Sequence, residues 1–97
     1  MIVEKTEEYQ QWLDHLKDRA GRSRVLMRVD RLIHGNPGEH RNLTQGVSEL
    51  KIDVGPGYRV YYRLRGARLL LLLAGGDKST QTSDIALALN LAKTYED

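Results

Sequence analysis

The sequence predicts an α+β fold, with an N-terminal helical hairpin packed on a small, mostly antiparallel four-stranded sheet and a C-terminal helix. Three observations carry this. Apolar residues recur at helical spacing through the first third of the chain. The period changes to two between residues 48 and 64. An unbroken apolar run, Leu69-Leu70-Leu71-Leu72-Leu73-Ala74, then marks a strand covered on both faces.

Met1 to Lys5 reads as a short strand. Thr6 is a fitting helix N-cap, with Glu7 and Glu8 favourably placed in the first turn. Tyr9, Trp12, Leu13 and Leu16 form one apolar stripe of the first helix, which Gly21 is expected to break. A second helix is expected from Arg22 or Ser23, with Val25, Val29, Leu32 and Ile33 facing inward. It stops before the turn formers Gly35-Asn36-Pro37-Gly38. From Ser48 onward Leu50, Ile52 and Val54 alternate with Glu49, Lys51 and Asp53, as a half-buried strand requires. Gly55-Pro56-Gly57 supplies a turn. The next strand carries Tyr58, Val60, Tyr62 and Leu64 on one face and Arg59, Tyr61 and Arg63 on the other. A turn at Arg65-Gly66-Ala67 leads into the leucine run, which Gly75-Gly76 is expected to end. The last segment, Gln81 to Tyr95, reads as a helix capped by Thr80 or Thr82, with Ile85, Ala88, Leu89 and Ala92 as its stripe.

The chain has 97 residues, the size of one domain, taken here as 1–97. Hydrophobic residues make up 40% and charged residues 29%, a globular balance. The formal net charge is only +2, but its distribution is uneven. Arg41, Lys51, Arg59, Arg63, Arg65 and Arg68 face only Glu49 and Asp53 across the middle of the chain. The first twenty residues instead carry five acids and three bases. A field concentrated in this way favours an anionic partner, nucleic acid or an acidic protein. The absence of cysteine excludes disulfide and thiol chemistry, and three scattered histidines (His15, His34, His40) make no zinc site. No cofactor and no metal are expected. The N-terminus lacks a signal-peptide pattern, and Leu69 to Ala74 is far too short to span a bilayer, so a cytoplasmic protein without membrane association is expected.

Three blocks are distinctive: Gly46-Val47-Ser48-Glu49-Leu50-Lys51, Gly55-Pro56-Gly57-Tyr58-Arg59-Val60-Tyr61-Tyr62, and Leu72-Leu73-Ala74-Gly75-Gly76-Asp77-Lys78-Ser79-Thr80-Gln81. Together they resemble a subgroup of the RelE/ParE superfamily, the addiction-module killer proteins, similar to HigB-type toxins. The resemblance runs from the Trp12 helix to the last helix. It implies the toxin of a type II toxin–antitoxin system, restrained by a helix-turn-helix antitoxin and reaching operator DNA only through it. RelE-like members cut mRNA in the ribosomal A site with basic side chains, whereas ParE-like members poison DNA gyrase without catalysis. Both use one fold, so fold alone does not choose between them. A degenerate member that only binds its antitoxin is a third alternative.

Cleavage by attack of a neighbouring 2′-hydroxyl needs a base, stabilisation of a crowded anionic phosphorane, and a proton for the departing 5′-oxygen. Arg59 matches the sheet arginine that RelE-like toxins place on the scissile phosphate, and its fork of donors suits that task. Lys51 shares its polar-face parity on the preceding strand and so can sit beside it. Lys78 falls in the loop where the resemblance places another cation, with Asp77 able to orient it. Glu49 is the one carboxylate placed to act as base, with a structural salt bridge to Lys51 or Arg59 as the alternative. Arg63 and Arg41 extend the basic face toward RNA, and Tyr61, the aromatic of polar parity, could stack on a base or simply pack. Gln81-Thr82-Ser83-Asp84 carries neither the Tyr nor the His that the cleaving relatives often have there. Proton transfer would then fall to Lys78, Glu49 or Tyr61. Trp12 and Tyr9 read as core, and the three histidines as solvated.

Overall fold

The computed structural model describes residues 1–95. The first strand, β1 (Ile2–Lys5), leads into α1 (Glu7–Asp14), whose N-cap Thr6 accepts a hydrogen bond from the Tyr9 amide. Thr6 is itself fully buried and donates to the Leu73 carbonyl, so the cap also pins α1 to the sheet. The second helix, α2 (Arg19–Ile33), starts earlier than the glycine signal suggested. Asp18 is its N-cap, accepting from the Gly21 amide, and Gly21 lies inside the helix. The chain needs glycine there because a Cβ would collide with the Tyr58 ring. Intimate helix–sheet packing, not a helix break, explains this residue.

The sheet has five strands, ordered β1-β5-β4-β3-β2, with β1 parallel to β5 and the other pairs antiparallel. They are β2 (His40–Asn42), β3 (Val47–Ile52), β4 (Tyr58–Arg65) and β5 (Leu69–Asp77). The strand beyond the expected four is β2. It has no apolar residue and every one of its residues is exposed, so no hydrophobic period announces it. Ladder bonds to β3 hold it at the edge. The leucine strand also runs further than expected. Gly75 and Gly76 do not turn the chain; they remain in β5, opposite Val60 and Arg59. Neither has positive φ. A Cβ on Gly75 would enter the Trp12 indole, and one on Gly76 would strike Asp84. A bulge sits where Tyr61 and Tyr62 oppose Ala74 and Leu72, leaving Leu73 extra.

Two cores result. On one face α1 and α2 bury Tyr9, Leu13, Val25, Val29 and Leu32 against Leu50, Ile52, Tyr58, Val60, Tyr62, Leu70 and Leu72. On the other, α3 (Gln81–Thr94) packs Ala88, Leu91 and Ala92 on Val47, Tyr61, Leu71, Leu73 and Ala74. Each aliphatic side chain fully buried in this way contributes roughly 1.5–3 kcal/mol. Between β5 and α3 lies one 3-10 turn, Lys78–Thr80. Thr80, one of the two residues expected to cap α3, holds its N-cap position without a side-chain capping bond, while Asp77 caps the 3-10 turn by accepting from the Ser79 amide. No described helix is long and apolar enough to cross a membrane.

Candidate functional site

The α3 helix covers only part of its face of the sheet. Beyond its N-terminus an open polar pocket of about 350 Å³ remains, lined by Glu39, Lys51, Asp53, Gly55, Pro56, Gly57, Arg59 and Lys78. Strand parity places Lys51 and Arg59 there as direct cross-strand partners. Lys78 enters from the turn before α3, where its amide donates to the Pro56 carbonyl at 3.4 Å and joins the two loops. Three of the four residues expected to carry the chemistry thus converge from separate elements.

Arg59 is 8% exposed, unusual for a cation. Its Nη1 donates to the Gly57 carbonyl at 2.8 Å, a bond the sharp Gly55-Pro56-Gly57 turn provides. Its Nε has no hydrogen-bond partner and stands 3.9 Å from Glu49 Oε2. Arg59 thus forms part of the pocket wall with its guanidinium nearly buried and its Nε turned inward, toward the buried Glu49 carboxylate. Lys51 Nζ lies 3.8 Å from Glu39 Oε1 at the pocket rim.

Glu49 lies beneath the pocket rather than in it. Its side chain has no solvent exposure. Oε1 accepts from Arg41 Nε at 2.8 Å, while Oε2 accepts from the Tyr61 hydroxyl at 3.0 Å and Gln81 Nε2 at 2.9 Å. Burial alone would push this carboxyl up. The bonds from Gln81, Arg41 and Tyr61, with the Arg41 charge, outweigh that and hold it below the usual carboxylate range. Buried, paired and ionised, Glu49 takes the salt-bridge role and is shut off from a substrate hydroxyl.

Tyr61 is also fully buried, and burial followed by the Glu49 charge pushes its hydroxyl far above the ordinary tyrosine range. Its ring packs under α3, so it offers no face to an incoming base. The polar parity was correct, but the covering helix turned a solvent face into an interior. Arg41 is exposed at the β2 edge and tied to Glu49; Arg63 lies half-buried on β4 beside Gly46. Asp77 is engaged by the Ser79 amide and hydroxyl, shaping the turn that presents Lys78. His15 and His34 terminate helices and His40 lies in β2, all exposed. Tyr95 is the exposed C-cap of α3. Among the described residues no cluster of three or more His, Cys, Asp or Glu could hold a metal ion.

Two residues of this region had no sequence signal. Gln81 binds Glu49 across 32 positions, and Asp84 lies against Gly76, accepting from the Thr80 hydroxyl. Burial, with the Asp77 charge, pushes the Asp84 carboxyl up.

A protein of Haemophilus influenzae with no described activity is 41% identical over 91 residues, spanning 94% of this chain and 92% of that protein. The two chains belong to one family. No family model matches the sequence. Among solved structures, a double arginine-to-alanine mutant of the Escherichia coli toxin RelE in its free state superposes with a TM-score of 0.73. The match covers 92% of this chain and 94% of that one, at 12% identity. The chain therefore has the RelE fold. On this RelE-like scaffold the cationic pocket sits where the β3–β4 turn meets the start of α3.

Proposed function

We propose that this protein is the toxin of a toxin–antitoxin pair, of the HigB-like killer subgroup, and that it cuts mRNA in the ribosomal A site of the cytoplasm. One observation carries the reading: Lys51, Arg59 and Lys78, three cations brought from separate elements, line a single open pocket. The RelE fold and the sequence blocks described above support it.

Arg59 binds the scissile phosphate and, as charge develops on the phosphorane oxygens, gains most there. Lys51 and Lys78 flank the same phosphate. Their ammonium groups neutralise the nonbridging and departing oxygens, and Lys78, the more exposed, delivers the proton to the 5′-oxygen. With Glu49 and Tyr61 buried, removal of the 2′-hydroxyl proton falls to a carboxylate of the pocket lining, Glu39 or Asp53. The ribosome orients the message. A helix-turn-helix antitoxin restrains the toxin and supplies the contact with operator DNA.

The test is to map mRNA 5′ ends after brief induction of the protein without its antitoxin. New in-frame ends confined to translated messages support the nuclease. Arg59→Ala should lower the cleavage rate on programmed ribosomes by about 10²–10³-fold, the cost of losing one oxyanion donor. Intact messages with a DNA-damage response would transfer the protein to the gyrase poisons, and unaffected growth would leave it an antitoxin-binding protein without toxicity.

A further inference from the structure

The four groups around Glu49 come from three elements: Arg41 from β2, Arg59 and Tyr61 from β4, and Gln81 from α3. On its own strand Lys51 is the next residue of the same parity, and Asp84 of α3 adds a negative charge felt by Tyr61. Three of the four donate hydrogen bonds to the carboxylate. Arg59 alone stays at ion-pair distance, 3.9 Å, with Nε free of any hydrogen bond. The other end of its guanidinium is fixed by the Gly57 carbonyl. A long side chain with many rotamers is thereby held between a buried charge and a turn, with its donors oriented before any ligand arrives.

We infer that Glu49 is a positioning residue for Arg59, fixing the guanidinium at the pocket without touching substrate. The inference rests on the reading of Arg59 as the phosphate ligand. It separates two effects that are usually lost together. The Glu49 charge lowers the local positive potential, so it slightly opposes anion binding while enforcing the geometry needed in the transition state. Its loss should spare ground-state phosphate binding and damage the rate.

The experiment uses Glu49→Gln in the full chain, which keeps the shape and most of the hydrogen-bonding capacity while removing the charge. Three quantities are read: the Arg59 Nε–H signal and its solvent exchange by NMR, the affinity for inorganic phosphate, and single-turnover cleavage on programmed ribosomes. The expected result is a shifted, faster-exchanging Nε–H and phosphate affinity equal to or tighter than wild type. The cleavage rate should fall about 100-fold at unchanged half-saturation, as a misplaced catalytic group costs. Glu49→Asp, which restores the charge, should recover part of the rate. An unaltered Nε–H signal overturns the inference, whether the rate holds or falls, because Glu49 would then act on something other than Arg59. If Glu49→Gln does not fold, Gln81→Leu removes one donor from the same carboxylate oxygen and is read in the same way. Failure of the nuclease reading shows elsewhere, as intact messages after induction of the wild-type protein, and leaves the NMR and phosphate measurements able to decide the positioning role.

Discussion

The two faces of the sheet bury comparable side chains to different ends. The face under α1 and α2 is an aliphatic and aromatic core, with the capping bonds of Thr6 and Asp18 among its polar contacts. The face under α3 combines a smaller apolar patch with a buried carboxylate, a buried tyrosine hydroxyl and a nearly buried arginine. Burying charge is costly unless it is paired, so the second face trades packing efficiency for fixed orientation. One face holds the fold together; the other also aims Arg59.

The sharpest way to break this comparison is to remove one side chain from each face and follow stability with pH. Glu49→Ala leaves Arg59 as an uncompensated buried charge and strands the Tyr61 hydroxyl, so a loss of about 3–5 kcal/mol is expected at neutral pH. Leu72→Ala, in the opposite core, should cost about 2–5 kcal/mol through its cavity. Their pH dependence should differ. The folded-state pKa of Glu49 lies below its ordinary value, near 4.5. Its ionic contribution is therefore complete above about pH 4.5 and is lost as pH falls through the depressed folded value, because the unfolded chain there binds more protons. The penalty of Glu49→Ala should shrink on acidification while that of Leu72→Ala stays constant. Denaturant melts at neutral and acid pH measure both, and parallel curves would refute the ionised, paired state of Glu49.

The same contrast separates what the sequence made legible from what it did not. Strand parity was enough to set Lys51 beside Arg59, because a period of two leaves no alternative once the Gly55-Pro56-Gly57 turn is recognised. Parity could not say that α3 would cover part of that face, so Glu49 and Tyr61 read as solvent-facing. The decisive contact, Gln81 to Glu49, is nonlocal and polar, and no periodicity encodes it. Gly75 and Gly76 misled for a related reason. Glycine serves either where φ is positive or where a neighbour leaves no room for a Cβ, and the sequence does not distinguish these. Here the neighbours are Trp12 and Asp84, one on each side of the strand.

That double requirement gives the next effect in size. Gly75→Ala drives a methyl group into the Trp12 indole on the hairpin face, where ring and strand are already in contact. The expected cost is about 1–3 kcal/mol of overpacking. Because the clash lies on the hairpin side, the melting temperature should fall with phosphate binding retained in the protein that remains folded. Lost binding at full folding would mean that strain crosses β5 and that the faces are mechanically coupled.

The smallest effect tests the joint where the two faces approach one another. Tyr58 packs on Gly21 and Trp12, and its hydroxyl donates to Asp18 Oδ2 at 2.8 Å, while Asp18 Oδ1 caps α2 through the Gly21 amide. Its backbone is the ladder partner of Asp77 and immediately precedes Arg59, so it belongs to the hairpin core by side chain and to the pocket by main chain. Tyr58→Phe keeps the ring and deletes only the hydroxyl. Removing that single hydrogen bond should cost about 0.5–1.5 kcal/mol. Asp18 stays in place through its bond to Gly21, so α2 should keep its start. If the faces are as separate as their chemistry suggests, the Arg59 Nε–H signal and phosphate affinity should not change. A shift in either would show coupling between the faces, through the β4 backbone between residues 58 and 59 or through Asp18, whose Oδ2 lies against the pocket-lining Gly55.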